Sequence, residues 1–284
     1  MNGIINVLKP EGITSFDVIY KVRRILNTRR IGHTGTLDPM ASGVLPICVG
    51  KATRAAELIV ASDKEYICRL KFGAETDTQD STGEILKTSD KRPEEAEFLE
   101  TLNAFTGEIE QIPPMYSAVH VGGERLYKIA RRGETVERKP RKITIFDITP
   151  LSFTADEAEI KIICSKGTYI RTLCEDIGKK LGSLAHMTAL KRTRSGIFKI
   201  EDAVSVEDVC EEKLTPVDEL FSDYEKIVLS GKDEFRVRNG AAVLNPLKTG
   251  KKYRLYGADG SFLCLSEGIE ENGTRLLSSI KNFY

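Results

Sequence analysis

Between Lys64 and Phe72 the chain alternates, with Tyr66, Cys68, Leu70 and Phe72 on one side and Glu65, Ile67, Arg69 and Lys71 on the other. A period of two predicts a strand there. Elsewhere the period is helical. Thr14, Ser15, Phe16 and Asp17 have the form of a capping box, and Ile19, Val22 and Leu26 follow at helical spacing, turning the basic residues among them outward. Pro93 opens an acidic amphipathic helix through Phe98, Leu102 and Phe105, closed by Gly107, and residues 169–181 read as a helix ended by Gly182. Residues 143–146 and 158–162 read as further strands. Strands and helices mix without regular alternation, so the pattern predicts an α+β fold rather than a doubly wound parallel sheet. After about Ser222 the texture changes to a short helical piece near 233–238, then strands at 253–256 and 262–265 about a Gly257 to Gly260 turn, a small β-rich module.

At 284 residues there is length for one large domain, or a large and a small one. No run approaches the roughly 18–20 apolar residues that cross a bilayer, and the first residues lack a basic stretch followed by a long apolar one. No membrane association is expected, and the expected location is cytoplasmic. None of the six cysteines forms a Cys-x-x-Cys pair, so they read as structural thiols. Three scattered histidines without a His-Glu-x-x-His pattern give no support to a metal site. Formal net charge is zero, but the cations are clustered: Lys21, Arg23, Arg24, Arg29 and Arg30 in one group, Arg125 to Lys142 in a second, Lys191, Arg192 and Arg194 in a third. Acids concentrate instead between Glu75 and Glu110. Each basic run alone reads as a solvated face; three of them around the same loops point to a polyanion on one side of the protein.

The chemistry-bearing candidate is Asp38, on a loop flanked by Gly32 and Gly35, ended by Pro39 and followed by the apolar run 44–49. An Asp before Pro is also an ordinary turn, because its side chain closes local hydrogen bonds. The loop echoes the phosphorylated loop of P-type ATPases, but Gly32 stands where that aspartate would be. A second echo, of the adenylyltransferase nucleotide loop, lacks the second histidine.

Separated stretches resemble one family, the bacterial tRNA pseudouridine-55 synthases (TruB family), in order and spacing. They are Gly35 to Pro39 with Ala41 to Pro46, Lys64 to Tyr66, Pro113 to Ala118 with Gly123 to Tyr127, Lys166 to Leu173, and Ala185 to Gly196. One departure is Val119 and His120, where the family usually carries a lysine. The resemblance implies a pseudouridine synthase fold with a mixed, largely antiparallel central sheet over residues 1–223, an RNA-binding insertion at about 120–142 and a PUA-like RNA-binding domain at 224–284. It implies Asp38 as nucleophile, attacking the sugar or the base or assisting elimination, and Arg171 as a bidentate partner of that carboxylate. Tyr66 would lie against an everted uracil with its phenol available for proton removal, Tyr169 and Leu190 would line the pocket, and His33 would fill the space the base vacates. Lys9 and Arg132 are implied to bind substrate. The implied partner is the T stem-loop of tRNA, met by a monomer with no protein partner, no cofactor and no metal.

Overall fold

In the computed structural model, which describes residues 1–244 and 248–284, the N-terminal half runs β1 (Gly3–Lys9), α1 (Ser15–Ile25), β2 (Ile31–His33), β3 (Ser42–Val49), α2 (Ala56–Val60) and β4 (Lys64–Phe72). The hairpin β5 (Ala74–Thr76) and β6 (Ile85–Thr88) precedes α3 (Glu95–Ala104) and β7 (Gly107–Gln111). Next come β8 (His120–Val121), β9 (Glu124–Arg125), α4 (Leu126–Ala130), β10 (Arg141–Phe153), β11 (Glu157–Cys164), α5 (Ile170–Leu181), β12 (Ala185–Ser195) and β13 (Phe198–Lys199). The last stretch carries β14 (Glu225–Val228), α6 (Gly231–Arg238), β15 (Val243–Leu244), β16 (Lys252–Tyr256), β17 (Phe262–Glu271) and β18 (Thr274–Asn282).

Local chemistry explains the helices. Thr14 and Asp17 form a reciprocal capping box, so orphan N–H groups at the start of α1 are satisfied before tertiary contacts act. Its apolar stripe, Val18, Ile19, Val22 and Leu26, packs on Ile5, Val7, Leu45 and Ile47 of β1 and β3. Each such side chain contributes about 1.5–3 kcal/mol on burial. Gly182 ends α5 in the left-handed region at φ +69°, as its position predicts. The bounds of α3 differ from expectation. Glu94 is still extended and serves as N-cap, while Gly107, at φ +106°, already belongs to β7.

β1, β3, β12, β4, β11, β10 and β7 lie side by side in one nine-stranded sheet, with β2 added on β3 and β13 on β12. Among the described residues every pairing in it is antiparallel except β3 with β12. This is the mixed, largely antiparallel sheet expected. The main core lies where α3 and α5 cover the sheet, with Phe98, Leu102, Leu173 and Ile177 against Cys68, Leu70, Ile160 and Ile162. A separate five-stranded sheet, in the order β14-β16-β17-β18-β15, has its own core around Tyr253, Leu255 and Leu263. Phe221, Phe283, Leu265 and Ala55 join the two.

β1, β3 and β12 of the main sheet lack the alternation that reveals β4. β1 is buried on both faces over most of its length, which erases any period. β12 breaks register against β4 between Met187 and Ala189 and again between Arg192 and Arg194, so its inward positions do not recur every second residue. Leu190 sits within this strand, opposite Cys68.

Candidate active site

The chemistry-bearing residues gather where β3, β12 and β4 adjoin. Arg192 of β12 is in register with Gly43 on one side and with Tyr66 on the other. Gly43 has φ +111°, and a Cβ there would lie 2.2 Å from the Arg192 carbonyl oxygen. Only glycine allows that approach.

The loop leading into β3 is tied down from several directions. Ser15, at the first turn of α1, bonds Leu37 on both sides: its Oγ accepts from the Leu37 N–H at 2.8 Å and donates to the Leu37 carbonyl at 2.9 Å. Lys9, at the end of β1, is fully buried and donates from Nζ to the carbonyls of Ala41 (2.6 Å), Pro10 (2.9 Å) and Pro39 (3.3 Å). Lys9, expected among the substrate-binding residues, thus directs its ammonium to the main chain of the loop. Arg192 is likewise buried, donating from Nε to the Val44 carbonyl at 2.7 Å and from Nη2 to the Gly35 carbonyl at 3.0 Å. Its place in an RNA-facing basic run is corrected on the same ground.

So held, the loop presents Asp38 with 37 % of its side chain exposed. Arg171, in the first turn of α5 and 6 % exposed, places Nε 3.0 Å from Asp38 Oδ2. Its Nη1 donates to the Thr78 carbonyl at 3.0 Å and its Nη2 to the Tyr116 carbonyl at 2.9 Å. One guanidinium thus ties the Asp38 carboxylate to the backbone of two other loops. The sequence reading missed Asp80. It is buried, with Oδ2 3.7 Å from Arg171 Nη1, while its Oδ1 accepts from Thr78 Oγ1 (2.8 Å) and the Thr82 N–H (2.9 Å). Lying in the acidic stretch between Glu75 and Glu110, it could have been flagged only by the hydroxyls on either side, Thr78 and Thr82.

Burial dominates the electrostatics. It raises the Asp38 carboxyl above the ordinary value of 3.8, opposed by the Arg171 guanidinium and reinforced by the charge of Asp80. Burial also raises the Tyr66 phenol, opposed by Arg192 beside it. It lowers His33, with Arg192 acting in the same direction, and lowers Lys9 to about 8. A carboxylate of raised basicity, held in direction by a cation, suits attack on carbon or removal of a proton.

The other expected residues are spread around this centre. His33 lies on β2, paired with Ile47, and its Nδ1 is buried without a partner. Tyr169 immediately precedes α5; Gln111 braces its backbone, accepting from its N–H at 2.8 Å and donating to its carbonyl at 3.0 Å. Arg132 lies apart, past α4, with its guanidinium bound to both oxygens of Glu124 (2.6 and 3.0 Å) and to Glu134 (2.9 Å).

Residues 23–170 match the model of the TruB family pseudouridylate synthase N-terminal domain, and residues 171–228 match that of the tRNA pseudouridylate synthase B C-terminal domain. A tRNA pseudouridine synthase B of Clostridium tetani is 45% identical over 281 residues, covering 95% of this chain and 97% of its own. One from Syntrophomonas wolfei is 40% identical, covering 100% and 99%. Among solved structures, a Cbf5–Nop10–Gar1 complex contains a chain 27% identical with a TM-score of 0.73, covering 99% of this chain and 85% of that one. A chain in an H/ACA RNP bound to a substrate RNA containing 2'-deoxyuridine has the same TM-score at 24% identity, a likeness of fold. With family models covering most of its length and relatives matched nearly end to end, this chain belongs to the TruB family of pseudouridylate synthases.

Proposed function

We propose that this chain converts the uridine at position 55 in the T loop of tRNA to pseudouridine, with the base turned out of its stack into the pocket around Asp38. The observation that carries the reading is the ion pair of Asp38 and Arg171, 3.0 Å apart and brought together from a loop and a helix far apart in sequence, beside the core cluster that Tyr66 shares with Leu37. The isomerisation breaks the bond from C1′ to N1, turns the uracil and forms the bond from C1′ to C5, while C5 gives up its proton and N1 takes one up. No electron is gained or lost. Asp38 acts as nucleophile and Arg171 keeps it ionised and aimed. Tyr66 lies against the everted uracil, with its phenol available to take the C5 proton. Tyr169 and Leu190 line the pocket and His33 enters the space the base leaves. Eversion costs a few kcal/mol, which contacts to the rest of the RNA offset. Residues 1–223 carry the chemistry, while the insertion at 120–142 and the sheet-bearing region 224–284 hold the T arm, in a cytoplasmic monomer.

Incubating the pure protein with an unmodified tRNA transcript and mapping pseudouridine nucleotide by nucleotide tests this directly. One modified position, 55, is expected, and none with Asp38→Asn, whose tRNA affinity stays within about threefold. Modification at another position, or turnover retained by Asp38→Asn, overturns it.

A further inference from the structure

Through Ser15, α1 is anchored to Leu37, the residue before Asp38. On the outward side of that helix Phe16 and Tyr20 stand one turn apart, 54% and 52% exposed, with their rings edge to face and centroids 4.9 Å apart. The Arg23 guanidinium lies 5.6 Å from the centre of the Tyr20 ring. The buried face of α1 is already filled by Val18, Ile19 and Val22, so these two aromatics make no contribution to the core. Around them Lys21 and Arg24 are exposed, and Arg29 and Arg30 follow. Two acids share the helix surroundings: Asp17, which is engaged by Thr14, and Glu207, which lies 3.9 Å from Lys21.

Aromatic faces set among cations fit a single-stranded nucleic acid, where a base stacks on the ring while its phosphates meet the positive charges. We propose that Phe16 and Tyr20 form a stacking platform for a second unpaired nucleotide of the RNA substrate, with Lys21 and Arg24 meeting its phosphates. The proposal rests on the reading of the Asp38 pocket as the site of the target uridine. Opening a loop to release one base deprives its neighbours of their stacking partners, and a ring pair anchored one residue from the nucleophile offers a replacement. A paired base within a duplex exposes no free face to stack. A protein partner would require on the order of 800 Å² of complementary surface per side, and two rings interrupted by charges do not supply it.

The test compares the wild-type protein with the double variant Phe16→Ala/Tyr20→Ala on unmodified tRNA, reading Kd by filter binding, KM and kcat by pseudouridine formation, and both binding constants at several salt concentrations. Loss of one stacked base is expected to raise Kd and KM about tenfold. The kcat and the salt dependence stay as in wild type, because no charge is removed. The conservative pair Phe16→Tyr/Tyr20→Phe keeps wild-type Kd. Unchanged Kd and KM in the alanine variant would overturn the platform while leaving turnover at Asp38 intact. A wild-type protein that binds tRNA but forms no pseudouridine would instead sink the reading of the pocket. A wild-type dimer in sedimentation that the double variant abolishes would reassign the rings to contact between copies of this chain and likewise overturn the proposal.

Discussion

Two populations of cation divide this molecule. Lys9, Arg171 and Arg192 are less than a tenth exposed, and their N–H groups point at main-chain oxygens of the loops around Asp38. Arg132, Lys21 and Arg24 stand in water, and Arg132 already shares its charge with Glu124 and Glu134. The same charge acts differently in the two settings. A buried guanidinium is tolerable only if its donors are satisfied, so it becomes a jig that holds carbonyls at fixed positions, and its field is little screened. An exposed one is screened within about 10 Å and acts chiefly on another polyelectrolyte. Interior cations should therefore control folding and turnover, and rim cations affinity and its salt dependence.

Arg192→Met puts the division to its most severe test. Two carbonyls, of Gly35 and Val44, would lose their donor inside the sheet, and at about 1–3 kcal/mol for each stranded acceptor the folded state is expected to lose about 2–6 kcal/mol. Urea denaturation reads this as a lower midpoint, and a midpoint unchanged from wild type would remove Arg192 from the interior class. Arg171→Lys keeps the charge but not the fork that reaches Asp38, Thr78 and Tyr116 together. Turnover is expected to fall about 100-fold with tRNA affinity unchanged, since misplacing a reacting group by an ångström costs about that much. Equal losses in both would place Arg171 with the rim cations.

A pH profile adds a finer distinction. Burial raises the Asp38 carboxyl, and its ionised form is the proposed nucleophile, so kcat/KM should fall as pH drops through a value above 3.8. Arg171 opposes that rise, so Arg171→Met should carry the acid limb to still higher pH in its residual activity. A limb that stays in place would mean that Arg171 does not act on Asp38 electrostatically. The smallest effect is expected at the rim. Arg132→Gln should weaken tRNA binding about twofold and lower the salt slope by about one at most, with kcat unchanged. A large loss of kcat there would erase the distinction between the two groups.

Much of the scaffold was legible because its signals are short-range. The capping box at Thr14 and Asp17 closes within one turn, Gly182 stops α5 by its own backbone freedom, and the alternation of 64–72 follows from a strand with one wet face. β1 and β12 escaped for the converse reason, since burial on both faces and two register breaks remove the periods that reading depends on. At the site, Asp38 stood out through the glycines and the proline that shape its loop. Arg171 became its partner only through the family resemblance, and the one local mark of Asp80 was the pair of hydroxyl residues beside it, Thr78 and Thr82.

Residue order along the chain was enough for the elements whose hydrogen bonds and sterics close within a few positions, and for the presentation of one carboxylate on a turn. Whether Lys9 and Arg192 face RNA or main-chain carbonyls was settled by assembly. Their surroundings come from β1, β3, β4 and β12 together, and a cation leaves water only where folding has already gathered enough oxygens to receive it.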